Sequence, residues 1–379
     1  MDVAEHYLDN AATTQVLPEA ADRARALMVE EFGNPSSLHT RGYKARQELE
    51  KARAAVAGKL GVQPGELTFT SGGTEGNNLA LFGAAAARRR LGDKIVTTAI
   101  EHDSVLKAVG ELERQGFRAV YVKPDKTGQV PLEALEAAID ESTILVSVMA
   151  VNNETGAILP VQGLSRVIRR KKAPALLHTD GVQAFGKLPF SPAKWGIDLC
   201  TVSAHKIHGP KGAGALYVKK GTHILPRAFG GGQERGLRPG TESLPLLGAF
   251  GEAASRLPRP QEALPRIQAL KEALIEGLSA LEQVTLHSPE DGLPYIVNFS
   301  AGRVRAETML HFLAEKGVYV SAGSACGKAK PSHVLEAMGL PAGQIRSALR
   351  VSFSRFSSME DVKALLAALE EGLSRLAKE

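Results

Sequence analysis

Leu199-Cys200-Thr201-Val202-Ser203-Ala204-His205-Lys206, closed by His208-Gly209-Pro210-Lys211-Gly212, is a short apolar run that breaks into a polar elbow and then a Gly/Pro turn. Upstream, Ala175-Leu176-Leu177-His178 ends the same way, on Thr179-Asp180-Gly181-Val182-Gln183. Apolar runs of this length, followed at once by hydroxyl, acid, imidazole and amine groups, read as buried strands with chemistry at their carboxyl ends. A lysine that forms an imine must be held still and partly desolvated, beside hydroxyl or imidazole groups that take a phosphate. Ser203 and His205 flank Lys206 as that task requires. Asp180, at a second strand end, can protonate a pyridine nitrogen and so make the ring an electron sink. Together these residues point to a pyridoxal phosphate site.

Outward from this stretch, five further runs alternate with helical segments: Leu67-Thr68-Phe69-Thr70, Ile95-Val96-Thr97-Thr98, Ala119-Val120-Tyr121-Val122, Ile144-Leu145-Val146-Ser147-Val148 and Ala215-Leu216-Tyr217-Val218. Seven runs in all predict an α/β chain with a seven-stranded, mostly parallel sheet covered on both faces. Ser71 to Asn78, Glu101-His102, Asn152-Asn153-Glu154, Asp180 to Gln183 and Ser203 to Lys206 each follow a run. One edge of the sheet should therefore gather them into a pocket. Beyond Leu244 the pattern changes to long helices over 244–256, 261–281 and 359–377, with strands near Tyr295 to Ser300, Gly317 to Ser321 and Leu349 to Phe353. That predicts a smaller α+β domain, with Leu257-Pro258-Arg259-Pro260 as the junction. The expected division is 15–256 for the large domain and 257–379 for the small one, joined by the N-terminal segment 1–14.

The 379 residues, 44% hydrophobic and 23% charged, suit a soluble globular protein of two domains. No apolar run approaches a membrane span, and Met1-Asp2-Val3-Ala4-Glu5-His6 lacks the regions of a signal peptide, so the expected compartment is the cytoplasm. Two cysteines, Cys200 and Cys326, build neither a disulfide framework nor a four-cysteine zinc site, and no metal site is expected. The net charge of +5 does not by itself call for nucleic acid. Arg88-Arg89-Arg90 and Arg169-Arg170-Lys171-Lys172 both end helical patterns, where they complement the helix dipole.

Ser71-Gly72-Gly73-Thr74-Glu75 stands between a strand and a helical run. Free N–H groups at Gly73 and the Thr74 hydroxyl there suit a phosphate. Gly230-Gly231-Gly232-Gln233-Glu234-Arg235-Gly236-Leu237-Arg238-Pro239-Gly240-Thr241 adds two arginines and a hydroxyl fit for anions. His102, after a strand, can stack on a cofactor ring and move protons near neutral pH. Gly181 to Lys187 nearly spells a P-loop, but Leu188 stands where a magnesium-binding hydroxyl is needed, and the motif is discounted. Cys326 lies in Ser321-Ala322-Gly323-Ser324-Ala325-Cys326-Gly327-Lys328-Ala329-Lys330. Small neighbours and nearby cations favour a reactive thiolate there, whereas Cys200 sits in an apolar strand. Arg350, which opens the last predicted strand, can fork onto a carboxylate.

Taken in order, these segments resemble the cysteine desulfurases, class V members of the fold-type-I pyridoxal phosphate enzymes, and specifically the housekeeping iron–sulfur-assembly branch. The likeness runs from Tyr7-Leu8-Asp9-Asn10-Ala11-Ala12-Thr13-Thr14 through Arg355 and includes Asn34-Pro35-Ser36-Ser37-Leu38-His39 and Asn152-Asn153-Glu154-Thr155-Gly156. It implies that Lys206 carries the cofactor, Asp180 pairs with its ring nitrogen, Gln183 bonds its ring hydroxyl and His102 stacks on it. Gly73, Thr74, Ser203 and His205 would hold the phosphate, with Thr241 reaching in from the second subunit of a homodimer. Asn34, Asn153 and Arg350 would bind the substrate L-cysteine, and Cys326 would take its sulfur as a persulfide, leaving alanine. An iron–sulfur scaffold or a sulfur carrier for tRNA thiolation would receive that sulfur. Selenocysteine lyase and class V aminotransferase are the alternative activities on the same scaffold. Two departures stand out: Cys326 is followed almost at once by Pro331-Ser332-His333, which shortens the tether, and Ser354 stands where a glycine is common.

Overall fold

The computed structural model describes residues 4–322 and 331–376. Its largest sheet has the order β2-β8-β7-β6-β5-β3-β4, built from β2 (Leu67–Thr70), β3 (Lys94–Thr98), β4 (Arg118–Val122), β5 (Thr143–Ser147), β6 (Leu176–Asp180), β7 (Leu199–Ser203) and β8 (Gly214–Val218). Strand β8 runs antiparallel to both β2 and β7, and the remaining pairs are parallel. Six carboxyl ends therefore share one edge, as the alternation of runs and helices predicts.

Side chains alternate across the sheet with the period of two that a pleated strand imposes. Ile95, Leu145, Leu176, Leu199 and Leu216 pack with helices Gly73–Arg88 and Asp103–Arg114 on one face. Val96, Val146, Leu177, Cys200 and Tyr217 join the core on the other face, with helices Thr40–Leu60, Val161–Arg170 and Leu244–Ser255. Burial on both faces explains why these strands read as continuous apolar runs.

A second, antiparallel sheet orders as β12-β10-β9, from β9 (Val284–Leu286), β10 (Ile296–Ala301) and β12 (Ala348–Ser352), and packs with helices Pro260–Ser279, Ala306–Glu315 and Met359–Arg375 in the same core cluster. The Pro-rich 257–260 lies between the helices Leu244–Ser255 and Pro260–Ser279. Two strands escape the sequence reading: β9, and β1 (His6–Tyr7), which pairs in parallel with β11 (Val318–Tyr319). The run predicted from Gly317 to Ser321 shortens to β11, because β1 offers it only two paired residues. Arg350 stands in the middle of β12 rather than at its start.

The N-terminal segment touches both sheets. Asp9 bridges to Ser352, and the Asn10 amide donates to the Ser352 carbonyl at 2.9 Å. The Thr14 amide donates to the His205 carbonyl at 2.9 Å. The basic runs end helices as expected, with Arg88, Arg169 and Arg170 in last turns. The glycine-rich segment differs from its expectation, since both of its arginines are engaged by the protein. Arg235 donates to the Leu67 carbonyl and to Thr68, and Arg238 pairs with Glu75 at 2.8 Å. Glu234 and Arg235 both have left-handed backbones, with φ of 45° and 58°. A buried two-pronged pair between Arg53 and Glu234, 2.7 Å in each prong, holds that strained turn against β2.

Helix Gly73–Arg88 approaches the sheet most closely at Gly76, where a Cβ would stand 2.6 Å from Thr201 Cγ2 of β7. Gly76→Val is expected to push the helix off the strand. It should destabilise the cofactor-free protein by about 1–3 kcal/mol in urea unfolding, since interiors this dense absorb added carbon poorly.

Candidate active site

The carboxyl edge of the large sheet opens into a cavity of about 270 Å³. Gly73, Thr74, His102, Asn153, Asp180, Gln183, Ser203, His205, Lys206 and Arg350, all expected from the sequence, line it. Asn34 and Thr241 do not line it. Asn34 is exposed and accepts a hydrogen bond from the Ser36 amide, and Thr241 is exposed. Cys326, Lys328 and Lys330 lie outside the described residues.

Lys206 ends a 3-10 turn, Ala204–Lys206, that leaves β7 directly. Its Nζ donates to the carbonyls of Ala11 and Ala12, 2.6 Å each. Burial pushes the amine down from 10.5 to about 8, and the Arg350 charge adds to that, while Asp9 and Asp180 pull the other way. At neutral pH on the order of a tenth of it is therefore the free, nucleophilic amine. Asp180, at the end of β6, is buried and receives the Val182 amide at 3.0 Å and the Asn77 amide at 2.7 Å. Both of its oxygens thus accept from amide N–H groups.

Asn77 also donates to Ser104 Oγ at 2.9 Å, and Ser104 Oγ lies 2.8 Å from His102 Nδ1. His102 caps helix Asp103–Arg114 by accepting the Ser104 amide on the same nitrogen, which leaves Nε2 as the ring nitrogen that carries a proton. A chain of hydrogen bonds thus runs from Asp180 to His102. Sequence reading placed Asn77 within a family stretch without a role and missed Ser104. A polar residue one turn into a helix that starts without a side-chain cap is the signal that marks Asn77. His205 is held neutral, pushed down to about 4 by burial and then by the Lys206 charge. Glu101, beside His102, is pushed up to about 8 by burial and buttresses the Met149 amide at 2.9 Å.

The residues fit pyridoxal phosphate on two structural observations. Ser203 Oγ is buried and has no hydrogen-bond partner among the described residues. Beside it, helix Gly73–Arg88 begins at Gly72 without a side-chain cap, and a Cβ on Gly73 would approach Val182 Cγ2 to 3.1 Å and Ser203 Cβ to 3.9 Å. An unspent hydroxyl and an uncapped helix start, kept clear by glycine, make a cup for a phosphate. Asp180 at the other end and Val182 and Met149 on the walls suit an aromatic ring with one basic nitrogen.

Arg350 is almost wholly buried and already engaged: it donates to Asp9 Oδ1 at 2.8 Å and to the Asn153 carbonyl at 2.9 Å, and its Nε has no partner among the described residues. Asp9 is a site residue that sequence reasoning left without a role, and only its contact with Arg350 reveals one.

Because the free amine attacks an aldehyde and the ammonium does not, loading of cofactor-free protein with pyridoxal phosphate is expected to accelerate as pH rises through about 8 and then level off. Stopped-flow absorbance at a series of pH values measures this. A rate still climbing toward 10.5 would show Lys206 to behave as an exposed lysine.

Comparison with known proteins agrees with this geometry. Residues 6–365 match the family model described as aminotransferase class-V. The chain is 40% identical over 374 residues to a cysteine desulfurase IscS of Methanosarcina thermophila, covering 98% of this chain and 92% of that one. A solved NifS-like protein superposes with a TM-score of 0.93 at 39% identity, covering 98% of this chain and all of that one. A structure of SspA in complex with cysteine superposes with a TM-score of 0.82 at 32% identity, over 93% of this chain and 100% of that one.

Proposed function

The chain belongs to the aminotransferase class-V family, and from that premise we propose how its residues carry out cysteine desulfuration with pyridoxal phosphate. The observation that carries the reading is the joint placement of Lys206, Asp180, His102 and the unspent Ser203 Oγ in one cavity. When bound, the cofactor supplies an electron sink for charge left on the substrate carbon skeleton. Asp180 holds the proton on the ring nitrogen, steadied by the Val182 and Asn77 amides. Gln183 donates to the ring oxygen, and Gly73, Thr74, Ser203 and His205 take the phosphate. Arg350 and Asn153 take the carboxylate of L-cysteine. The Lys206 amine accepts the substrate α-proton, and His102, through Nε2, moves protons at the departing sulfur.

Cys326 completes the transfer. Its thiolate attacks the substrate sulfur, an S–S bond forms, the C–S bond breaks and the electron pair stays with the carbon, which takes a proton to become the methyl group of alanine. Neither an oxidant nor a reductant is needed for this half-reaction. The persulfide then passes to an iron–sulfur scaffold or to a sulfur carrier for tRNA thiolation. A nucleophilic thiol suits a reducing compartment, and we assign the cytoplasm. No helix among the described residues is long and apolar enough to cross a membrane. We further read 15–256 and 257–379 as the large and small domains, joined by segment 1–14.

A homodimer is part of the proposal. Leu38 is fully exposed and Phe229 is 88% exposed, and Met28, Val29, Phe32 and Tyr43 are also open to solvent. Apolar groups in this number support a covered surface. Thr241, exposed and not part of the lining of its own cavity, then serves the phosphate cup of the partner.

Purified, cofactor-loaded protein is expected to release alanine and sulfide from L-cysteine in equal amounts under a reductant. Cys326→Ala should lose alanine formation by more than about 10²-fold while keeping the visible absorbance of the bound cofactor. Undiminished turnover in that variant would point to transamination instead. Mixing Lys206→Ala with Thr241→Ala protomers tests the shared site. Hybrids should contain one damaged half-site in both respects and one intact one, and recover phosphate affinity that the Thr241→Ala homodimer lacks. Absence of recovery would place Thr241 outside the site.

A further inference from the structure

Gly181 to Lys187, discounted above as a P-loop, ends in a lysine that is 7% exposed, well below what an unpaired ammonium tolerates. Among the described residues its Nζ makes one hydrogen bond, to Gln183 Oε1 at 2.9 Å, and lies 5.8 Å from the centroid of the Tyr295 ring. No carboxylate among the described residues pairs with it. Gln183 Nε2 in turn donates to the Ala11 carbonyl at 3.0 Å, the same oxygen that accepts from Lys206 Nζ at 2.6 Å. Lys187 and Lys206 share the wall of a small second cavity of about 20 Å³ behind the site.

An amide side chain can present either its oxygen or its nitrogen to a ligand, and the two ends have opposite polarity. With Oε1 taken by Lys187, Nε2 keeps one N–H for Ala11 and turns the other to the cavity. We propose that Lys187 is a positioning residue of the cofactor pocket: by holding Gln183 Oε1 on the protein side, it makes Gln183 a donor toward the ring oxygen of pyridoxal phosphate. The inference rests on the role assigned to Gln183 above. A donor-only amide stabilises that oxygen as an anion, so removing it raises the pH at which the covalently held cofactor loses its proton. The buried amine is itself pushed down to about 7, by burial first and then by the Lys206 and Arg350 charges. A weakly charged amine still donates, which lets the clamp persist without a counterion.

The charged and titratable groups around this pair are Lys206, His205 and His208 after β7, Arg350 of β12, Arg355 beyond it, Tyr295 ahead of β10, and Asp9 and Asp180 across the cavity. All of them are retained in the variants below, so a shift belongs to the clamp. The holoenzyme is titrated with pH, reading the visible absorbance of the bound cofactor, for the parent, Lys187→Met, Lys187→Arg, Gln183→Ala and the Lys187→Met/Gln183→Ala double variant. Lys187→Met and Gln183→Ala are each expected to raise the midpoint by about one pH unit, the double no further than either alone, and Lys187→Arg to stay near the parent. Urea unfolding of the cofactor-free proteins reports stability separately. An unchanged midpoint in Lys187→Met, or shifts that add in the double variant, overturns the proposal. If Lys187→Met does not fold, a raised midpoint in Gln183→Ala with a parent-like Lys187→Arg supports it, and an unmoved Gln183→Ala sinks it. A parent that binds the cofactor but yields no alanine from cysteine would fail the functional reading and leave this clamp standing.

Discussion

The carbonyl of Ala11 is the point on which the site turns. It accepts from Lys206 Nζ and from Gln183 Nε2, and the next carbonyl, Ala12, accepts from Lys206 as well. Two residues earlier, Asp9 pairs with Arg350, and Asn10 donates to Ser352 of the small sheet. A short stretch of extended chain thus registers a strand of the smaller sheet against Lys206, just past the end of β7 in the larger one. Backbone carbonyls suit this task because they are strong acceptors without a charge, and so they orient the amine without raising its proton affinity as a second carboxylate would.

Burial sets the reactivity around that point. Lys206, Lys187 and His205 are all moved toward their neutral forms by desolvation before any specific neighbour acts, and Glu101 is moved the same way from the acidic side. Asp180 accepts from two amide donors, of Val182 and Asn77. One cavity therefore brings together the Asp180 carboxyl group, an amine shifted toward its free form and the neutral imidazole of His205, a set that proton movement around an electron sink can use. The strained turn at Glu234 and Arg235 persists because a buried ion pair with Arg53 offsets the cost of its left-handed backbone. That turn decides where Thr241 emerges.

Legibility followed locality. Strands β2 to β8 were readable because burial on both faces leaves short apolar runs bounded by turns, and the groups at their ends were readable as chemistry because water-avoiding strands stop at polar residues for a reason. Strands β1 and β9 were not, since they are only two and three residues long and their partners lie elsewhere in the chain, His6 pairing with Val318. The arginines of the glycine-rich segment read as anion binders, but Leu67, Thr68 and Glu75 claim them. Asn77 and Ser104 look like ordinary helix-start residues until the helices are packed side by side.

By itself, then, the sequence determined the α/β class, the order of the chemistry-bearing strand ends and the identities of Lys206, Asp180, His102 and Ser203, because those follow from hydrophobic period and from residue types within a few positions of one another. Only the tertiary structure decided that Asp9 engages Arg350 across 341 positions, that Lys187 holds Gln183, and that Lys206 leans on Ala11 and Ala12. The reason is physical: hydrogen bonds and charge coupling depend on distance through space to within a few tenths of an ångström. Folding brings together groups whose separation along the chain carries no trace of that proximity.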